Sequence, residues 1–293
     1  MIIWLASYPK SGNTWVRTII NQIIFNDVKS KDEVFDNLSR IKRYPSKTDI
    51  IGLPQISNTN SFTKEQKKEV IDFTVKYWQK SQENINKNNK TNILKTHNML
   101  CNINLDEKDY SFTNLENTIG VIHIVRDPRN IVTSAKNHFS LSTEEESVEM
   151  ICDNYNWTGF TNNEVPQLLS SWGNHYNSWK KFPKNNLLIK YEDLVSDVKK
   201  QVLKIIKYLS NYFEYKISDK VIEEIERNTS FENFKKLENV GKFDENSINE
   251  ITGEKKTFFN LGPHNNWKKI LKKESINKIE TQFNNEMSEL GYL

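Results

Sequence analysis

Residues 8–15 read Tyr8-Pro9-Lys10-Ser11-Gly12-Asn13-Thr14-Trp15, between the apolar run Ile2-Ile3-Trp4-Leu5-Ala6 and a helical pattern through Val16, Ile19, Ile20 and Ile23. A buried strand that turns through small residues into a helix leaves backbone N–H groups and a positive helix end pointing at one spot. An anionic oxygen fits there. In the usual nucleoside-triphosphate loop the lysine follows the second glycine and reaches the β- and γ-phosphates. Here Asn13 holds that place, Ser7 stands at the first glycine position, Thr14 keeps the hydroxyl, and Lys10 lies on the near side of the turn. The pattern suggests a phosphate held as usual, a cation moved toward a different bond, and no clear need for a β,γ-bound metal. A purely structural strand–turn–helix connection is the alternative.

Working outward, short continuous apolar runs at 2–7, 92–96, 119–125 and 186–191 read as buried parallel strands, each followed by turn or charged residues and then a helical pattern. This alternation predicts an α/β fold: a three-layer P-loop-like domain with a central parallel sheet flanked by helices, binding its ligand at the strand C-termini. Helices are expected at 63–84, 167–181, 194–211, 219–228 and 273–290. The chain reads as one domain, 1–293, with cap-like inserts at about 28–90 and 140–166. The second insert, with Trp157 and Phe160, reads as a lid-like loop.

With 41 basic and 38 acidic residues the net charge is only +3, so no whole-protein field argues for nucleic acid or an anionic membrane, and any basic site must be local. Hydrophobic residues make up 36% of the chain, and no run approaches the ~18 apolar residues that a membrane span needs. Met1-Ile2-Ile3-Trp4 lacks the charged start of a signal peptide. Cys101 and Cys152 have no metal-like spacing, which predicts inert thiols in a reducing, cytoplasmic setting.

The second run ends in Leu94-Lys95-Thr96-His97, bringing a lysine and a histidine to the same expected sheet edge as Lys10. An imidazole there can take a proton near neutral pH. The third ends in Val125-Arg126-Asp127-Pro128-Arg129-Asn130. Asp127 is a candidate helix cap, Pro128 suits the first helical position, and Arg126 can hold a phosphate by two hydrogen bonds. Ser134 falls in the first turns of that helix. An Arg–carboxylate bridge is the structural alternative.

These motifs, in this order, resemble the soluble cytosolic-type sulfotransferases, which move a sulfuryl group from PAPS (3′-phosphoadenylyl sulfate) to a hydroxyl or amine. YPKSGNTW is similar to that family's 5′-phosphosulfate loop, with Asn13 where threonine is usual. HIVRDPRNIVTSAKNHF at 123–139 resembles its 3′-phosphate motif, and Leu94–His97 the segment with the catalytic histidine. Lys190-Tyr191-Glu192-Asp193-Leu194 and Thr229-Ser230-Phe231-Glu232 resemble two further landmarks. One landmark departs. Asn260-Leu261 replaces the Arg-Lys pair of a late RKGxxGDWK segment, although the spacing from Gly262 to Trp267 is kept. The dimerisation segment usual after that tryptophan is also absent, with Lys272 and Lys273 where Thr and Val are expected, which leaves the oligomeric state open.

The resemblance implies PAPS as donor, PAP (3′-phosphoadenosine 5′-phosphate) as product, no metal, and a small-molecule or carbohydrate acceptor. It implies His97 as general base, with Lys10 and Lys95 stabilising the leaving group. Lys10, Ser11, Gly12, Asn13 and Thr14 are expected at the 5′-phosphate, and Arg126 and Ser134 at the 3′-phosphate with Asn260, Leu261 and Gly262. Trp15 and Phe231 are expected at adenine, with Tyr191, Thr229 and Ser230 nearby. Core packing is the alternative for Trp15, Phe231 and Trp267. Other functions kept open are an ATP-dependent kinase, disfavoured by Asn13 in the lysine slot, and a non-catalytic nucleotide-binding relative.

Overall fold

Six consecutive fully buried residues form the first strand, as expected of a chain segment covered on both faces. The computed structural model describes residues 1–25, 31–52, 62–160, 164–246 and 255–293. Residues 28–30, 53–61 and 161–163 of the two expected inserts lie outside them. In chain order the elements are β1 (Ile2–Ser7), α1 (Asn13–Phe25), α2 (Lys64–Asn86), β2 (Asn92–Thr96), β3 (Asn102–Leu105), β4 (Lys108–Ser111), β5 (Thr118–Val125), α3 (Pro128–His138), α4 (Glu144–Cys152), β6 (Trp157–Thr158), β7 (Gln167–Leu168) and α5 (Trp172–Lys180). There follow β8 (Asn186–Lys190), α6 (Tyr191–Ser196), α7 (Val198–Leu209), α8 (Asp219–Asn228), α9 (Phe231–Asn239), α10 (Trp267–Ile270), α11 (Lys273–Gln282) and α12 (Asn284–Glu289).

The central sheet has the order β2-β1-β5-β8. β1 and β2 run parallel, Leu5 opposite Lys95 and Ala6 opposite Thr96. The four apolar runs are its four strands, but the burial expected of the last one fails: β8 is an edge strand, paired on one side only, and its Asn186 and Leu188 are exposed. Among the described residues, no helix is long and apolar enough to cross a membrane.

Helix starts follow local chemistry. Thr63 and Gln66 form a reciprocal capping box at α2: the Thr63 hydroxyl accepts from Gln66 N–H (3.2 Å), and Gln66 Oε1 accepts from Thr63 N–H (2.9 Å). Asp127 caps α3 with Pro128 in its first turn. Helix breaks were less legible. The span expected at 194–211 is two helices, because Asp197 leaves helical geometry and accepts from Lys200 N–H (2.8 Å) to cap α7. The span at 273–290 breaks at Phe283. The helix expected from 167 begins at Trp172, because Gln167 and Leu168 pair antiparallel with Thr158 and Trp157. The loop expected at 140–166 contains α4 and β6.

Contacts divide the chain into two compact units. The first comprises Met1–Tyr8, Lys42–His123 and Asp153–Asn186; the second comprises Pro9–Ile41, Ile124–Cys152 and Leu187–Leu293. The first is built on Trp4, whose ring lies 5.2 Å from both Tyr44 and Phe112 and 6.4 Å from Trp179. Its indole N–H is satisfied by the Thr118 hydroxyl (2.9 Å). Aromatic pairs of this kind add about 0.5–1.5 kcal/mol each beyond the area they bury. In the second unit Phe35, Phe234, Phe243 and Phe259 cluster with centroids 4.9–5.8 Å apart, which anchors the segment leading into Asn260. Both cysteines are free, and burial pushes the Cys101 thiol up to about 12 and that of Cys152 to about 11.

Candidate active site

In the second unit the turn between β1 and α1 depends on two unusual backbone positions. Lys10 has φ +66°, which is costly for a residue with a side chain, and Gly12 has φ +99°. A Cβ at Gly12 would stand 2.7 Å from the Tyr191 ring, so both the conformation and the close approach require glycine. The first intrahelical bond of α1 runs from Val16 N–H to Gly12 C=O (3.2 Å), leaving the Thr14 and Trp15 N–H groups without an acceptor inside the helix. Beside them the Ser11 hydroxyl is buried with no partner. The Lys10 ammonium rests 3.7 Å from the centre of the Phe258 ring.

Arg126, at the end of β5, is tied to this turn. Its guanidinium donates to Lys10 C=O (3.0 Å), approaches Gly262 C=O (3.5 Å) and lies 3.9 Å over the Tyr191 ring, while its buried Nε has no partner. Among the described residues no carboxylate pairs with it. The Arg–carboxylate bridge belongs instead to Arg129, which binds Asp127 (2.7 Å), Glu280 (2.5 Å) and Tyr292 C=O (2.7 Å) and lies 3.8 Å over Trp267. Two nearby arginines thus have different work, one spent on structure and one held by carbonyls with hydrogen-bonding capacity to spare.

The Lys190–Leu194 landmark supports this cluster. Tyr191 faces Gly12, Arg126 and the edge of Trp15 (5.8 Å), and burial raises its phenol above the usual range while Arg126 opposes the shift. Glu192 accepts from Asp127 N–H (3.0 Å) and from the Tyr292 hydroxyl (2.9 Å), which fixes the start of α3. Burial raises its carboxyl pKa.

Gly262, at φ +52°, lies against the Phe231 ring, so the late loop and the start of α9 meet there. Phe231 also turns its edge to His264 (6.3 Å). Thr229 is fully buried with its hydroxyl donating to Ile225 C=O (2.8 Å), and Ser230 caps α9 by accepting from Asn233 N–H (3.3 Å). Ser134 is half-buried on α3, while Asn260 and Leu261 are exposed. Trp15 is buried and Trp267 opens α10. In this unit Lys10–Trp15, Arg126, Tyr191, Phe231 and Gly262 therefore form one connected set of contacts. Thr229 instead serves its own helix.

The first unit holds Lys95 and His97. The His97 Nδ1 lies 2.7 Å from Ser7 C=O and 3.2 Å from the Ser7 hydroxyl. A carbonyl only accepts, so Nδ1 carries the proton and Nε2 presents a bare lone pair. Burial, then the charge of Lys95, and further Arg43 and His175, hold the imidazole well below its ordinary range against the opposing Ser7 bond. The ring is therefore neutral at physiological pH. Two further histidines, His123 and His175, are buried 6.1 Å apart, and burial lowers both, His175 to about 3. Among the described residues no group of three or more His, Cys, Asp or Glu side chains is arranged to hold a metal.

The first unit thus holds a buried imidazole with its Nδ1 proton on a backbone carbonyl, and the second a strand–turn–helix with a buried arginine that no carboxylate among the described residues pairs with. The sulfotransferase domain model matches residues 2–291, and the chain belongs to that family. It is thereby an enzyme of the sulfotransferase class. Among similar proteins, sulfotransferase 1B1 of Canis lupus familiaris is 26% identical over 98% of this chain and 83% of its own. The amine sulfotransferase of Oryctolagus cuniculus is 22% identical over 98% and 81%. The luciferin sulfotransferase of Photinus pyralis is 24% identical over 95% and 69%. Two solved structures share the fold: mouse sulfotransferase SULT7A1 complexed with PAP (TM-score 0.56, 19% identity, 98% of this chain and 84% of that one) and retinol dehydratase in a complex with retinol and PAP (TM-score 0.59, 17% identity, 98% and 81%).

Sequence reasoning missed Gln167, His175 and Phe258. Gln167 falls inside what reads as a helix, and nothing local in the sequence joins it to His97.

Proposed function

We propose that this chain transfers a sulfuryl group from PAPS to a hydroxyl or amine of a small-molecule or carbohydrate acceptor. The observation that carries the reading is Arg126: a buried guanidinium bonded to the carbonyl of the loop lysine, with no carboxylate partner among the described residues and an unmet Nε, is suited to an anion at that loop. The names of similar proteins, which include luciferin, amine and flavonol sulfotransferases, favour a small acceptor.

In this reading His97 Nε2 takes the proton of the acceptor O–H or N–H as that atom bonds to sulfur. The bond from sulfur to the 5′-phosphate oxygen breaks, and its electron pair leaves with PAP. Lys10 and Lys95 offset the charge on the departing oxygen, so catalysis is positioning plus charge stabilisation. Lys10 precedes the glycine because the scissile bond lies one group nearer adenosine than the γ-phosphate of ATP. Ser11, Gly12, Asn13 and Thr14 hold the 5′-phosphate, and Arg126 and Ser134 hold the 3′-phosphate with the 260–262 segment. Trp15 and Phe231 pack on adenine, with Tyr191 beneath.

Calorimetric titration with PAP, beside ADP and ATP with magnesium, tests the donor. Micromolar or tighter binding of PAP and much weaker binding of the others is the expected result. A preference for ATP, or no binding at all, would overturn the assignment.

A further inference from the structure

Gln167 and His175 are both buried and both bonded to the main chain of His97. We propose that they are positioning residues for the general base, clamping its backbone so that the ring keeps one tautomer and one direction. The proposal rests on the role given to His97 in sulfuryl transfer above.

His97 N–H donates to Gln167 Oε1 (2.9 Å), an oxygen that also faces the Thr96 hydroxyl (3.5 Å). That bond fixes the orientation of the amide, and its Nε2 is left buried without a partner. On the other side of the same residue, the His97 carbonyl accepts from the His175 ring. His175 Nε2 has no partner, so Nδ1 is the donor. The next two residues are held by the same elements: Asn98 Oδ1 accepts from Leu168 N–H (2.8 Å), Met99 N–H donates to Leu168 C=O (2.8 Å), and Trp179 Nε1 donates to Asn98 C=O (2.9 Å). β7 and α5 therefore grip the turn after β2 along its length.

The grip has a chemical consequence. His97 is a competent base only while Nδ1–H stays on Ser7 C=O, because that bond reserves Nε2 for the acceptor proton. A small rotation of the His97 peptide would release the ring toward the Nε2–H form that free imidazole favours. A brace serving stability alone would do better with apolar side chains, since an unpartnered buried amide and imidazole nitrogen are both unfavourable. The charged and titratable groups bearing on His97 are Lys95, Arg43 and His175. His175 in turn faces His123 at 6.1 Å and the edge of Tyr8 at 5.6 Å.

Long-range 1H–15N NMR of the labelled full chain, which has five histidines, reads the tautomer and titration of His97 without any acceptor, with His97→Ala supplying the assignment. Wild type is expected to show the Nδ1–H form alone. In Gln167→Leu and His175→Leu, loss of one hydrogen bond should cut the preference for that form about fivefold. His175→Gln keeps a donor for the carbonyl and should restore it. Gln167→Glu keeps an acceptor and should also restore it, while its carboxylate moves the His97 midpoint up by about 1 pH unit.

Unchanged His97 signals in both leucine variants, or no rescue by the conservative ones, would overturn the proposal. If the leucine variants do not fold, an unmoved midpoint in Gln167→Glu does so alone. PAP titration is read separately: a chain that binds no PAP defeats the sulfuryl-transfer reading, whereas the spectra decide the clamp.

Discussion

Replacing His175 by glutamine should make the protein less sensitive to acid, although the side chain lies deep in the first unit and is only 1% exposed. Burial holds the folded-state pKa of His175 near 3, against 6.5 for an ordinary histidine. A histidine with a lowered folded pKa contributes fully to stability above the unfolded value. The contribution is lost as pH falls from 6.5 toward 3, because the unfolded chain binds a proton that the folded chain refuses. At pH 5 the interval is about 1.5 pH units, which at 1.36 kcal/mol each amounts to roughly 2 kcal/mol. His97 and His123 are lowered chiefly by burial in both proteins; the lesser share that His175 contributes to each is lost in the variant, which moves the comparison in the same direction. Urea unfolding followed by the fluorescence of the seven tryptophans, at steps from pH 7.5 to 5, measures the difference. At pH 7.5 the variant is expected to be the less stable, through poorer packing. By pH 5 the gap should have moved about 2 kcal/mol in its favour. Parallel stability–pH curves would show that His175 is protonated in the folded state or open to water, and the burial argument would be wrong.

Three other outcomes follow from the geometry. His97→Ala should abolish turnover with PAPS while PAP affinity by calorimetry stays within about twofold, since none of the groups assigned to the nucleotide is removed; retained turnover would take His97 out of its role. Gly12→Ala should cost about 1–3 kcal/mol in chemical unfolding, because its Cβ meets the Tyr191 ring at 2.7 Å on a backbone at φ +99°; a neutral effect would mean the loop is not held against Tyr191. Asn260→Arg returns one missing cation to an exposed position of the late loop and should tighten PAP binding about tenfold, as one charge-assisted bond does. Unchanged affinity would place that position away from the 3′-phosphate.

What the sequence determined by itself was mostly local. Apolar runs are legible because a strand covered on both faces tolerates little polar alternation, which holds for β1 and β5; β2 carries Lys95 and the edge strand β8 exposes Asn186 and Leu188, yet the four runs are still the four strands of the sheet. The strand–turn–helix at Lys10, the cap at Asp127 and the box at Thr63 are legible because neighbouring residues satisfy those backbone groups. The helix breaks at Asp197 and Phe283 escaped that reasoning, since both lie within otherwise helical patterns. The site itself depended on residues far apart in the chain. Arg126 and Arg129 look interchangeable in Val125–Asn130, and only folding gave Arg129 its carboxylates and left Arg126 with carbonyls, a ring and an unmet Nε. Gln167 and His175 reach His97 across 70 and 78 residues of sequence, through hydrogen bonds that no periodicity encodes. Hydrophobic pattern sets which faces are buried; which polar atoms then meet is decided by packing in three dimensions, because a buried donor must find its acceptor wherever the chain has brought one.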